Sequence, residues 1–192
     1  IKNLAKDLMG FKLNPDKKTL LVLGGSLGAK TVNESIFLGL EQLWLADIQL
    51  IWQTGGFYYS QIMSEMKKPW NERLRVYDFI KEMQYAYAIA DAVVSRAGAM
   101  SISELMLSAK PSILIPSPNV VADHQTLNAE NLTSHGAALM VSDAMAKKML
   151  VKTALSLLLD EKQQKGLSEN IAAMGRPNAA KDIAKKIIEL AA

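Results

Sequence analysis

The 192-residue sequence contains no cysteine. Disulfide staples, thiolate nucleophiles and cysteine-based zinc sites are thereby excluded, and the composition suits a reducing compartment such as the cytosol. Histidine is almost as scarce. His124 and His135 are the only two and form no cluster with metal-ligand spacing. No apolar run approaches the ~18 residues of a membrane span, and the start lacks the layout of a signal peptide. Internal repeats and low-complexity stretches are absent too. Charge of one sign does not dominate: the net charge is +3, with lysines scattered among acids. No basic run is interleaved with aromatics, so nucleic acid is not an expected partner. Lys181, Lys185 and Lys186 share one face of a last helix and read as solvated. An anionic membrane surface would attract each of them by only about 1 kcal/mol. The first residue is Ile1 rather than methionine, as expected of a processed start or a piece of a longer protein.

What the sequence does hold is 49% apolar residues, enough for one good core at this length. They come as short continuous runs alternating with helically spaced ones. Strands are predicted over Thr19 to Leu23, Ile48 to Trp52, Leu74 to Phe79, Ala92 to Val94, Ser112 to Ile115 and Ala138 to Val141. Helices are predicted at Lys2 to Met9, through Val32, Ile36, Leu40 and Leu43, and over Tyr58 to Met66, closed by Lys67-Lys68-Pro69. Further helices follow over Lys81 to Ala90, Met100 to Ser108, Asp123 to His135, Ala144 to Leu159, Glu161 to Met174 and Ala179 to Leu190. Strands that are apolar throughout and alternate with helices predict an α/β fold. The expected form is a Rossmann-like parallel six-stranded sheet with helices on both faces, residues 1–192 making one domain. In such sheets ligands lie beyond the carboxyl ends of the strands.

The glycine- and serine-rich punctuation sits at those ends. Ser95 to Glu104, S-R-A-G-A-M-S-I-S-E, turns from a strand through small residues into a helix. Backbone N–H groups at such a start can receive a phosphate, and Glu104, one turn in, can accept from vicinal hydroxyls. The same residues allow a blander reading, in which Ser101-x-x-Glu104 is a capping box that closes the helix on itself. Gly24-Gly25-Ser26-Leu27-Gly28 permits three readings. It fits G-x-S-x-G, the nucleophile elbow of an α/β-hydrolase with Ser26 as nucleophile, although little chain precedes it to supply an oxyanion loop. It fits a dinucleotide site poorly, because G-x-G-x-x-G is not met and Trp52-Gln53-Thr54 brings no acid for a ribose. Third, it is a small-residue loop whose amides and Ser26 hydroxyl approach a diphosphate. Gln125 and Asn128, three apart, share the face at the start of a helix where amides can read sugar hydroxyls. The alternative there is an N-cap at Asp123 with both amides merely solvated. His135, just before Gly136, reads as a helix C-terminal histidine. Together these features outline a nucleotide-sugar site.

Four segments resemble the MurG family of glycosyltransferases: L-L-V-L-G-G-S-L-G-A-K-T-V-N, D-F-I-K-E-M-Q-Y-A-Y-A-I-A-D-A-V-V-S-R-A-G-A-M-S-I-S-E, D-H-Q-T-L-N-A-E-N and R-P-N-A-A. The resemblance spans nearly the whole chain in the same order. It implies the carboxyl-terminal, donor-binding half of a GT-B enzyme that moves N-acetylglucosamine from UDP-N-acetylglucosamine to lipid I, giving lipid II in peptidoglycan synthesis. It also implies that the amino-terminal acceptor domain, with its G-G-T-G-G-H loop and the catalytic base, is absent here, so that this chain alone is inactive. By the same resemblance, Ser26 touches the diphosphate and the Ile80 backbone reads the uracil edge. The amides of Ala99, Met100 and Ser101 meet the phosphates, Glu104 takes the ribose hydroxyls, and Gln125 and Asn128 contact the sugar. His124 stands where some relatives have glutamine. The implied transfer is inverting and needs no cofactor or metal at the donor. The implied location is cytoplasmic, peripheral on the inner membrane, with lipid I reached through the missing domain. A module of the same fold that binds a nucleotide without chemistry is the remaining alternative.

Overall fold

Thr19–Leu23 is wholly buried and forms strand β1, the centre of the sheet. It is flanked by β2 (Gln49–Gln53), β3 (Leu74–Tyr77), β4 (Ala92–Ser95), β5 (Ser112–Leu114) and β6 (Leu139–Met140). A computed structural model describes residues 11–66, 72–120 and 123–191. The helix expected at Lys2 to Met9 and the Lys67-Lys68-Pro69 stop lie outside them. The sheet has six strands in the order β3-β2-β1-β4-β5-β6, and every pairing is parallel. The chain therefore builds outward from β1 on one side, then crosses back to build outward on the other. That reversal creates a topological switch point between β1 and β4.

Each connection carries a helix: α1 (Lys30–Leu45), α2 (Gly56–Glu65), α3 (Met83–Ile89), α4 (Ala99–Ser108) and α5 (His124–Ser134). After β6 a 3-10 turn, Asp143–Met145, leads into α6 (Ala146–Leu159), α7 (Glu161–Ala173) and α8 (Ala179–Ala191). Side chains alternate across a strand, and here the alternation sorts the core into two layers. Leu20 and Val22 pack with Ile36, Leu40, Leu150 and Leu157 of α1 and α6. Leu21 and Leu23 pack on the opposite face with Tyr87, Ile102, Leu105, Leu132 and Ile171. Truncating any such leucine to alanine costs about 2–5 kcal/mol.

Most expected elements appear within a residue or two. The third strand is an exception, ending at Tyr77 rather than Phe79: Asp78 turns its carboxylate onto the Phe79 amide at 2.7 Å, and Phe79 is 53% exposed. As an edge strand, β3 is only half-buried, so burial on both faces does not extend to it. The sixth strand shrinks to two residues, because only Ile113 and Leu114 are opposite it. Helix α8 has no buried residue; Ile183, Ile187, Ile188 and Leu190 are exposed alongside its lysines. No helix among the described residues is long and apolar enough to cross a membrane.

Candidate functional site

The strand register fixes where the loops meet. Tyr77 is opposite Gln53, Gln53 opposite Leu23, Leu23 opposite Ser95, and Ser95 opposite Leu114. Five strands thus end abreast, and the loops after them share one edge. Ser26 is three residues beyond Leu23 and Gly98 three beyond Ser95, so both leave neighbouring strands at the switch point.

The loop after β1 owes its shape to glycine. Gly28 has φ +92, and a Cβ there would sit 2.4 Å from the Thr54 carbonyl oxygen. Gly24 N–H donates to the Gln53 carbonyl at 2.9 Å, and Gly56 N–H donates to the Ser26 carbonyl at 3.2 Å. The two loops are therefore stitched together, with the Ser26 side chain left exposed. Helix α1 starts from Ala29 with no side-chain cap, and its first bond is Asn33 N–H to the Ala29 carbonyl at 2.9 Å.

Helix α4 begins in the same way. Gly98 precedes it with φ −71 and ψ 150, no side chain caps it, and the first bond is Ile102 N–H to the Gly98 carbonyl at 3.0 Å. The amides of Ala99, Met100 and Ser101 have no partner among the described residues. They carry the positive end of the helix dipole. The capping-box reading is corrected here. Ser101 lies inside the helix, and Glu104 Oε2 accepts from the Tyr87 hydroxyl at 3.0 Å, not from the backbone. Ser101 cannot act as a cap because the extended residue that starts the helix is Gly98. A Cβ on Gly98 would meet nothing within 4 Å, so the space above the helix start is open.

Ile80, buried in the loop before α3, donates its N–H to Gln53 Oε1 at 2.8 Å. Its amide is therefore engaged within the protein. Gln125 and Asn128 share a helical face, and that face turns onto the loop after β4. Gln125 Oε1 accepts from the amides of Ala97 at 3.3 Å and Ser117 at 3.0 Å, while Asn128 Nδ2 donates to the Ala97 carbonyl at 3.0 Å. They are not merely solvated. Asp123 does precede α5, in the left-handed region at φ 49, but its carboxylate accepts from the Thr126 hydroxyl at 2.7 Å instead of capping an amide. His124 opens that helix and is exposed. His135 closes it, its Nδ1 2.7 Å from the Asn131 carbonyl.

Two groups at the site escaped the sequence reading. Tyr87 falls in the helix predicted over Lys81 to Ala90 with nothing to single it out, yet its ring is buried and its hydroxyl meets Glu104. Burial, reinforced by the adjacent Glu104 charge, pushes that hydroxyl well above its usual range. Arg96 pairs with Asp143 and donates to the carbonyls of Ile115 at 3.1 Å and Pro116 at 3.2 Å, tying the loops after β4, β5 and β6 together. Thr31 adds α1 to the knot, its hydroxyl 2.9 Å from Asp143 Oδ2. Nothing in their spacing marks these partners, which are 47 and 112 residues apart. Among the described residues no three or more metal-ligand side chains gather. Among the described residues Ser26 shares no hydrogen bond with a histidine, and His135 is bonded to the Asn131 carbonyl instead, so nothing supports the hydrolase reading.

Residues 19–187 match the model of the glycosyltransferase family 28 C-terminal domain. The chain is 51% identical over 180 residues to the UDP-N-acetylglucosamine–N-acetylmuramyl-(pentapeptide) pyrophosphoryl-undecaprenol N-acetylglucosamine transferase of Cytophaga hutchinsonii, covering 94% of the chain and 48% of that protein. The same-named transferase of Bacteroides thetaiotaomicron is 47% identical over 198 residues, covering 98% and 53%. The chain thus spans about half the length of the curated relatives it matches. Among solved structures, Acinetobacter baumannii MurG superposes with a TM-score of 0.78 at 28% identity, over 93% of this chain and 51% of that one. The S. aureus MnaA–UDP co-structure shares the fold, with a TM-score of 0.68 at 16% identity over 90% and 46%.

Proposed function

The chain belongs to the glycosyltransferase family 28 C-terminal domains, and from that premise we propose that it is the donor-binding domain of an enzyme that transfers N-acetylglucosamine from UDP-N-acetylglucosamine to lipid I. The observation that carries this reading is the pair of uncapped helix starts, α1 and α4, leaving adjacent strands at the switch point with Glu104 one turn in. Bare amides beyond two neighbouring strand ends, with no side chain capping them, favour a diphosphate. The Ile80 carbonyl takes the uracil N3–H, Glu104 the ribose diol, and the amides of Ala99, Met100 and Ser101 with the Ser26 hydroxyl take the phosphates. Gln125 and Asn128 hold the loop that receives the sugar and use their remaining polar atoms on it.

In this reading the acceptor C4 oxygen bonds to the anomeric carbon as the bond from that carbon to the β-phosphate oxygen breaks. UDP leaves with the electron pair, and the acceptor proton passes to a base in the part of the relatives that this chain does not span. Both helix starts stabilise the charge that grows on the departing diphosphate, so the donor side needs no bound metal. Lipid I would be met through that other part, at the cytoplasmic face of the membrane, and transfer would fail with these 192 residues alone.

The test is thermal denaturation with nucleotide. UDP or UDP-N-acetylglucosamine at about one hundred times its Kd is expected to raise Tm by roughly 5–10 °C, and Glu104→Ala should abolish most of the rise. No shift at millimolar nucleotide overturns the proposal.

A further inference from the structure

We infer that Tyr87 is a positioning residue for the diol-binding carboxylate: its hydroxyl holds Glu104 so that the remaining lone pairs face the ribose hydroxyls of a bound uridine nucleotide. The inference rests on the nucleotide reading given above.

Glu104 is on an exposed turn of α4, where a glutamate has three rotatable bonds and many rotamers. One contact selects among them, the 3.0 Å bond from Tyr87 to Oε2. The donor itself cannot move far. Tyr87 is 6% exposed, and its ring is packed into the core layer of Leu21 and Leu23 with Ile89, Ile102 and Leu105. Tyrosine also suits the task chemically. An ionised carboxylate is acceptor-only, with about four lone-pair positions. The phenol occupies one and leaves the rest for two hydroxyl donors. A lysine or arginine in its place would orient the carboxylate equally well but neutralise the charge that the diol's hydrogens are meant to meet. Lys110, which lines the same groove, donates to the Ala90 carbonyl at 2.9 Å and the Ala88 carbonyl at 3.4 Å. The groove, about 560 Å³, runs between α3 and α4 with Met83, Gln84, Tyr87 and Glu104 along its wall. A nucleoside entering from the Ile80 loop would meet the carboxylate already aimed.

Calorimetric titration of the protein at its native length with UDP and with 2′,3′-dideoxy-UDP isolates the diol. The unchanged protein should bind UDP at least tenfold more tightly than the dideoxy nucleotide. Tyr87→Phe removes one oxygen and keeps the ring. It should cut that preference about fivefold, the net scale of one ordinary hydrogen bond, while the dideoxy affinity stays as it was. The dideoxy arm also reports folding, since a misfolded variant would lose both ligands. If Tyr87→Phe, with the circular dichroism and melting of the unchanged protein, weakens both nucleotides equally, or weakens neither, the positioning role is overturned and the nucleotide reading survives. If the unchanged protein does not distinguish the two nucleotides, or binds neither, the nucleotide reading itself fails.

Discussion

Asn33 donates its side-chain amide to the Thr54 carbonyl at 2.8 Å, and its oxygen accepts from the Trp52 indole at 3.0 Å. All three residues are buried, and this one side chain ties α1 to the end of β2, where the two glycine loops meet. Asn33→Leu keeps the volume but leaves an indole N–H and a carbonyl without partners. A loss of about 2–4 kcal/mol is expected, seen as a lower urea midpoint with an unchanged slope. A midpoint within error of the unchanged protein would mean that water replaces the amide.

Two glycines at the same edge should respond in opposite ways. Gly28→Ala forces a Cβ against the Thr54 carbonyl oxygen at a φ of +92, and should cost about 2–4 kcal/mol of stability. Gly98→Val, at φ −71 and ψ 150 with open space above it, should leave stability within about 0.5 kcal/mol. Its bulk stands where the diphosphate is proposed to lie, so UDP affinity should fall at least tenfold. Equal thermal loss in both variants would contradict the open-space argument.

Gln125→Ala separates two roles. Removing the acceptor shared by the Ala97 and Ser117 amides loosens the loop in front of α4. UDP and UDP-N-acetylglucosamine should then both bind about three- to tenfold more weakly, the scale of about 1 kcal/mol. A side chain that only touched the sugar would affect the sugar nucleotide alone. The two affinities, measured side by side, decide between these roles.

The hydroxyl of Tyr87 gives a pH signature. Its raised value means that the folded protein keeps a proton which the unfolded chain has begun to release. Its contribution to stability is therefore complete below about pH 10 and is lost as pH rises beyond that. Between about pH 9 and about pH 11, stability should fall more steeply for the unchanged protein than for Tyr87→Phe. Parallel curves would mean that the phenol ionises as readily folded as unfolded.

The sheet was legible in the sequence because five residues such as Thr19 to Leu23, apolar apart from a leading threonine, have one stable home between two helical layers. The helix starts were legible for a related reason: small residues after such a run leave a turn and bare amides. The side-chain partnerships were not. Ser101-x-x-Glu104 satisfies a capping pattern by spacing, yet the packing of α3 beside α4 supplied a phenol as a better partner for the glutamate. The spacing of Gln125 and Asn128 suggested amides facing sugar hydroxyls, but it held no sign that the Gln125 oxygen also accepts from two backbone amides. Contacts of this kind depend on which helices become neighbours across the sheet, and no local spacing encodes that.

The alignment of Tyr77, Gln53, Leu23, Ser95 and Leu114 along one straight margin separates scaffold from chemistry. The strand pairing is complete at that margin, so residues beyond it that make no bond to a neighbouring loop can be exchanged without shifting a rung of the ladder beneath. Exchanging residues 118–122 for those of a homologue of different donor preference, with Pro116, Ser117 and Asp123 kept for their bonds to Arg96, Gln125 and Thr126, should therefore change which sugar is accepted while melting behaviour stays the same. A protein built this way can change its substrate one loop at a time.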